Sequence, residues 1–248
     1  MKTQDAVRAS EKRQLTAYLR ERFGEAQGSI GFFEKKTPAR RLNAVVPVNY
    51  CQFDGVRYVS AEERLLERIC SLFLQALDCF CPSFLDALHR EIDGEMRREG
   101  YVPGKSRGRV IRVYLPGRCF DAVADCEPLS YSKMLQTENQ TSICLTESYF
   151  LTRPAFGTFA HSQLVSAAAV NAFSTATQVR DLCCETIPAF RGQGLAARNI
   201  AALIHCLQAQ ELTPIYRCHT DNPASLGVVH KLELRQAAMA YHCVYCRT

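Results

Sequence analysis

The sequence predicts an α/β protein with a mixed sheet, preceded by a mainly helical N-terminal region. Three observations predict it. Apolar residues recur at helical spacing through much of the first hundred positions. From about Thr141 short β-rich runs take over, in the order β-β-β-α-β-α-β. Charge is also uneven: most Lys, Arg, Asp and Glu lie in residues 1–130, and 131–248 is poor in charge, as a buried sheet with packed helices would be. We therefore expect residues 1–130 to form a helical and irregular region and 131–248 an α/β domain.

Composition narrows the function classes only a little. With 47% hydrophobic residues the chain is neither disordered nor fibrous and can bury a sizeable core. The formal charge of +5 suits an anionic cofactor as well as a nucleic-acid surface, and does not choose between them. The start, Met1-Lys2-Thr3-Gln4-Asp5, opens no apolar run, and no stretch approaches the ~18 apolar residues of a membrane span. A soluble, cytoplasmic chain is expected. In that setting the thirteen cysteines read as reduced, buried thiols.

Along the chain, Ser10 can cap a first helix whose Leu15, Tyr18, Leu19 and Phe23 share a face, with Gly24 as its stop. Gly28, Gly31, Thr37-Pro38 and Pro47 mark an irregular stretch. Ser60-Ala61-Glu62-Glu63 is a capping box for a second helix on Leu66, Ile69, Phe73 and Leu77, ended by Pro82. A third helix spans 83–98 on Phe84, Leu88, Ile92 and Met96. Residues 109–115 alternate like a strand. Strands are then expected over 143–151, 163–173 and 178–187, a helix over 194–210, a strand over 215–219, a helix over 223–232 and a strand over 235–245.

The loop between the strand ending near Ile187 and the helix from Gly194 carries the chemistry. In Arg191-Gly192-Gln193-Gly194 the two glycines let backbone approach a bulky anion without a Cβ in the way. The unpaired N–H groups and dipole of the following helix favour negative charge at the same spot, and Arg191 adds a cation. Taken alone, the pattern is equally an ordinary strand-to-helix turn.

Its context goes further. Pro188-x-x-Arg191-Gly192-Gln193-Gly194-Leu195-Ala196 resembles the pyrophosphate loop of the GNAT superfamily of acyl-CoA-dependent N-acyltransferases. The resemblance runs from Gln163 to Tyr245. Asn222-Pro223-Ala224-Ser225 followed by Lys231-Leu232 matches the family's second signature. Glu185-Thr186, with Pro214-Ile215-Tyr216-Arg217-Cys218, is similar to the branch containing the zwittermicin-resistance acetyltransferase. Two departures stand out. Glu233-Leu234 replaces the usual Gly-Phe. Val229 occupies the position, seven residues after Asn222, where many relatives carry the tyrosine that protonates the leaving thiolate.

The resemblance implies a GNAT-like mixed, mostly antiparallel sheet with flanking helices, and acetyl-CoA as cosubstrate without a metal. It implies that the pantetheine arm pairs with backbone around Glu185, Thr186 and Ile187, and that an N–H near Ile187 serves the oxyanion. Arg191, Gly192, Gln193, Gly194, Leu195 and Ala196 would hold the pyrophosphate, with Asn222 and Ser225 beside the arm. An amine would attack the thioester directly in a ternary complex, with Glu185 as first candidate for general base and Asp181 as a weaker one. With Val229 unable to donate, Tyr241 or His230 could supply the acid. The acceptor would be the primary amine of a small molecule. Alternatives are a macromolecular acceptor (a protein lysine or N-terminus, or a charged tRNA) and a non-catalytic acyl-CoA-binding module.

Other constellations read more plainly as packing or solvation. Cys243-Val244-Tyr245-Cys246 would need two further ligands for zinc, which His242, Cys218 and His219 could supply, but strand alternation points the two cysteines to opposite faces and favours packing. Cys183-Cys184 could offer a thiol nucleophile, but neighbours on a strand face opposite ways, so at most one reaches a cleft. The basic clusters at Lys35-Lys36, Arg40-Arg41 and 105–112 could meet RNA or an acidic protein; a solvated loop and strand edge is the simpler account. The sequence leaves oligomerisation open.

Overall fold

The computed structural model describes residues 3–23, 26, 28–34, 39–41, 44–105, 109–124, 126–136, 138–139, 141, 143, 147–151, 153–171 and 178–247. In chain order, helix α1 (Gln4–Phe23) precedes strands β1 (Ile30–Glu34), β2 (Ala39–Arg41), β3 (Ala44–Phe53) and β4 (Val56–Ala61). Helices α2 (Glu63–Gln75) and α3 (Pro82–Arg98) follow, then β5 (Tyr101–Pro103), β6 (Ile111–Leu115) and β7 (Glu127–Pro128). Next come α4 (Tyr131–Gln136), β8 (Glu138–Asn139), α5 (Glu147–Phe150), β9 (Ala155–Ala160), β10 (Gln163–Val170) and β11 (Val179–Thr186). After a single 3-10 turn, Pro188–Phe190, the chain ends with α6 (Leu195–Ala209), β12 (Thr213–His219), α7 (Pro223–Lys231) and β13 (Arg235–Arg247).

The chain forms two compact units, neither of them one stretch of sequence. The first comprises Met1–Tyr18, Val113–Cys218 and Asn222–Gln236; the second comprises Leu19–Arg112, His219–Asp221 and Ala237–Thr248.

In the first unit β12, β11, β10, β9 and β7 lie side by side in that order. β9, β10 and β11 pair antiparallel, while β11 and β12 run parallel from Val179↔Thr213 to Leu182↔Tyr216. One face of these strands is covered by α6 and α7 through Ile200, Leu203, Ile204, Leu207 and Val228, packed on Ala168, Val170, Leu182 and Tyr216. Each fully buried aliphatic side chain there stabilises the unit by about 1.5–3 kcal/mol. On the opposite face Tyr149, Leu129, Leu164, Ala167 and Ala169 form a separate cluster. α1 adds a buried carboxylate: Glu11 Oε1 accepts the Gly117 N–H at 3.1 Å.

In the second unit β1, β4, β3 and β13 lie side by side, β1 parallel to β4 and the other pairs antiparallel. α2 and α3 pack through Leu65, Ile69, Phe73, Phe84, Leu88 and Ile92 against Tyr50, Tyr241 and Tyr245.

The fold class is the one expected, a mixed α/β arrangement with mostly antiparallel strands and flanking helices. Several elements differ in detail. Ser10 lies inside α1, not at its start. α2 starts at Glu63, after Glu62 and with no side-chain cap, because Ser60 belongs to β4. Leu77, expected on the apolar face of that helix, is 98% exposed beyond its end. The stretch expected to be irregular includes β1, β2 and the start of β3. Of the stretch 143–151 expected as a strand, 144–146 lie outside the described residues and 147–150 form α5, whose turn buries Tyr149 so that its hydroxyl accepts the Val170 N–H at 2.7 Å. β9 escapes sequence reading because Gly157 interrupts its apolar pattern. A Cβ there would lie 2.6 Å from Leu164 Cδ1 and 2.8 Å from Leu129 Cδ2, so any side chain at this position would force those leucines to move.

Candidate functional site

A cleft of about 610 Å³ opens in the first unit, lined by the end of β11, the following loop, the start of α6, Tyr216 of β12 and the start and end of α7. It exists because β12 leaves β11 after Leu182↔Tyr216, whereas β10 stays paired with β11 as far as Thr186. Cys183 to Thr186 therefore present a strand edge with no β12 partner, the kind of edge to which an extended chain can add. Alternation decides which groups point there. The Ile187 N–H donates to the Val165 carbonyl of β10 at 3.0 Å. The backbone groups of Cys184 and Thr186 thus turn the other way, toward the opening. The Ile187 N–H itself is accordingly spent, which leaves the N–H groups of Cys184 and Thr186 as candidates for the oxyanion donor expected near Ile187.

The loop has the geometry an anion needs. Pro188–Phe190 forms one tight turn, and Gly192 and Gly194 adopt φ of +81° and +77°. A side chain at either position is strained there, and glycine is not. No side chain caps α6, so its first-turn N–H groups point out of the helix into the cleft. Arg191 lies at the rim and donates from Nε to the Thr186 carbonyl at 3.0 Å. A second cation went unnoticed in the sequence as a site residue. Lys231, in the last turn of α7, places Nζ in the space that a Cβ on Gly194 would fill. Two cations and a helix N-terminus thus converge on one loop.

A buried polar chain holds this arrangement. Thr158 Oγ1 donates to Asn199 Oδ1 at 3.0 Å, Asn199 Nδ2 donates to Ser166 Oγ at 3.1 Å, and Ser166 Oγ lies 2.8 Å from Thr186 Oγ1. Asn199 and Ser166 are fully buried. The chain ties the second turn of α6 to β9, β10 and β11, so the glycine loop is fixed at both ends.

Residues 144–241 match the family model of GNAT acetyltransferases. The match covers somewhat under half of the chain and includes the glycine loop, α6, α7 and the open edge of β11. Among solved structures the chain is similar to a GCN5-related N-acetyltransferase-like protein from Streptococcus suis 89/1591, at 14% identity over 94% of this chain and 99% of that one (TM-score 0.48). It is similar to an acetyltransferase from the GNAT family of Colwellia psychrerythraea, at 14% identity over 80% of each chain (TM-score 0.43). A candidate GNAT-family acetyltransferase from Novosphingobium aromaticivorans DSM 12444 is 15% identical over 56% of this chain (TM-score 0.43). The match spans 65% of that protein's length, just under two thirds. The curated proteins contain no match.

Of the residues singled out in the GNAT-like segment, Glu185, Thr186, Arg191, Gly192, Gly194, Leu195, Ala196, Asn222 and Ser225 all line the cleft. Gln193 lies on the loop between the two glycines. Asn222 is the N-cap of α7: its Oδ1 accepts the Ser225 N–H at 3.2 Å, with Pro223 in the first turn. Glu185 is partly buried, and Asp181 does not reach the cleft. The Asp181 carboxylate is buried against Arg217 and accepts from Asn171 Nδ2 at 3.0 Å. Val229 is buried among α6 and β12 side chains, and His230 is exposed.

Tyr241 lies elsewhere. It is completely buried in the core of the second unit, its hydroxyl 2.7 Å from His89 Nε2, and it does not line the cleft. The two adjacent cysteines divide as alternation requires: Cys184 faces the cleft and Cys183 packs on the opposite face. Burial pushes the Cys183 thiol up to about 11 and raises that of Cys184 as well, so both stay protonated and are poor nucleophiles. Tyr216 is, with Lys231, a cleft residue that the sequence does not place: only the fold brings it to the opening.

Among the described residues no helix is long and apolar enough to cross a membrane, and no cluster of three His, Cys, Asp or Glu side chains could hold a metal. Lys35, Lys36 and residues 106–108 of the basic clusters lie outside the described residues; Arg109 pairs with Asp221 at 3.0 Å.

Proposed function

We propose that this protein is an acetyl-CoA-dependent N-acetyltransferase that transfers the acetyl group directly to the primary amine of a small molecule. The observation that carries the reading is the convergence of Arg191, Lys231 and the uncapped N-terminus of α6 on Gly192 and Gly194, at the mouth of a cleft with an open strand edge. That is a place for a pyrophosphate followed by an extended, amide-bearing arm. The family-model match supports the same donor, and the zwittermicin-resistance-like residues tilt the acceptor toward a small amine in the cytoplasm.

In this reading the arm runs along Cys184 to Thr186 and brings the thioester toward the point where β11 and β12 separate. The amine nitrogen attacks the carbonyl carbon. Glu185 takes the amine proton, directly or through water, and the Cys184 or Thr186 N–H holds the oxyanion. Positioning supplies much of the rate.

The test is a thiol-release assay with purified protein, acetyl-CoA and a panel of small primary amines. Turnover on at least one amine supports the proposal. Turnover only with cell-extract macromolecules assigns a macromolecular acceptor. Tight acetyl-CoA binding without thiol release from either source would make the chain a binding module.

A further inference from the structure

Resting on that reading, we propose that the Tyr216 hydroxyl is the donor to the departing CoA sulfur, the role left vacant by Val229. The position where a tyrosine would serve is an apolar side chain 4% exposed in the core, so α7 offers the sulfur nothing there. Tyr216 faces the cleft from β12 instead. It is the last β12 residue paired with β11, at the apex where the two strands part, and it lines the cleft. Its ring is buried under α6 and α7, which fixes the hydroxyl at the cleft floor.

The hydroxyl has a sulfur within hydrogen-bonding reach, and Ser225, on the first turn of α7, lines the same cleft. Cys184 Sγ lies 3.5 Å away on the edge strand, and either group can donate. When the phenol is the donor of that pair, its hydrogen points at a sulfur. A thiol is a weak acceptor. A CoA sulfur gaining negative charge in the same cleft is a far better one, and would draw the hydrogen bond to itself.

The atoms balance as follows. The amine nitrogen bonds to the carbonyl carbon, and the tetrahedral species collapses by breaking the C–S bond, sulfur keeping the electron pair. Tyr216 donates a hydrogen bond to that thiolate and keeps its proton. The proton lost by the amine passes to Glu185 and then solvent, and solvent returns one to sulfur as free CoA thiol. Burial, with the neighbouring Cys184 adding to it, raises the Tyr216 pKa well above that of an ordinary tyrosine. The phenol is therefore a donor at every working pH, and it serves by hydrogen bonding and not by ionising.

Tyr216→Phe tests this, since it removes one oxygen and keeps the ring. Three readouts are taken: the acetyl-CoA dissociation constant by calorimetry, kcat at saturating substrates, and the pH at which the thiol of bound CoA ionises, followed by ultraviolet absorbance. The proposal expects affinity within about threefold of wild type and kcat about 10- to 100-fold lower. It expects the bound thiol of the wild type to ionise about one pH unit below free CoA, and that shift to vanish in the variant. An unshifted titration with kcat unchanged would overturn it. So would a loss of affinity as large as the loss of kcat/KM, which would make Tyr216 a packing or binding residue. If the variant's melting shows it unfolded, the wild-type titration alone decides: a bound thiol ionising no lower than free CoA rejects the donor. Failure of the enzyme reading is separate, because there the wild-type protein itself would not bind acetyl-CoA or turn it over.

Discussion

Two buried tyrosines, one in each unit, mark the difference between a site and a core. Tyr241 sits among Tyr50, Phe73 and Phe84 with its hydroxyl closed onto His89 at 2.7 Å. Tyr216 is almost as deeply buried, yet it lines the cleft, its hydroxyl 3.5 Å from the Cys184 thiol. In the core of the second unit the hydroxyls of Tyr50, Tyr241 and Tyr245 are closed onto the Cys79 carbonyl, His89 and the Asp93 carboxylate. Around the cleft polar groups are left with weak partners: glycine backbone, an uncapped helix end and a strand edge with no neighbour. Buried polar groups that close on each other hold a fold together, whereas those held open are available to a ligand. Substitutions in the cleft should therefore change binding or rate and spare stability, and those in the core should do the reverse.

The largest effect is expected at Gly194. Gly194→Val forces a side chain into the space of Lys231 and a branched residue onto a φ of +77°. Acetyl-CoA affinity should fall by about 1,000-fold or more in calorimetry, with several charge-assisted contacts to the pyrophosphate lost at once. Unaltered affinity would erase the distinction between cleft and core at its strongest point.

Glu11 sharpens the comparison, being a buried polar group of the first unit that does not line the cleft. Burial pushes its carboxyl up from 4.5 to about 7, against the opposing pull of the Gly117 N–H, Arg235 and Arg8. Between these values the folded protein holds a proton that the unfolded chain has released. The stability Glu11 supplies is thus complete below about pH 4.5 and is lost as pH rises to about 7. The loss should approach about 3 kcal/mol. Chemical denaturation at pH 5 and pH 8 measures it. Glu11→Gln should flatten the profile and leave acetyl-CoA affinity alone.

Glu185→Gln should lower kcat about 100-fold at pH 7 with acetyl-CoA affinity unchanged, as removal of a general base does. Full activity would return Glu185 to a structural role. Tyr241→Phe is the smallest effect and the mirror case. It removes a buried partner from His89, so thermal or chemical unfolding should show a loss of about 1–2 kcal/mol while turnover stays at the wild-type level. A fall in turnover without a fall in stability would place Tyr241 with Tyr216.

What could be read from the sequence follows the same division. The glycine loop was legible because it depends on backbone: two glycines, a helix start and a cation can be recognised without knowing the fold. α6 and α7 were legible from helical periodicity and from Asn222-Pro223 as a start signal. Lys231 was quoted as a motif residue, but its approach to Gly194 depends on where the end of α7 comes to rest. Tyr216 and Tyr241 show the same limit. Both read as strand aromatics, and sequence alternation assigns a face but not what a hydroxyl meets on that face. β9 was hidden by Gly157, a residue that weakens the strand signal while permitting the packing. The sequence places the oxyanion donor only as near Ile187, because strand register, which spends the Ile187 N–H on Val165, is set by pairing and not by local sequence.

The most direct test of the central claim is a crystal structure with acetyl-CoA bound. The account predicts the pyrophosphate against Gly192 and Gly194, within hydrogen-bonding distance of the first N–H groups of α6 and of Lys231 Nζ, with the thioester sulfur beside the Tyr216 hydroxyl. Acetyl-CoA bound with its pyrophosphate anywhere other than this loop would contradict it.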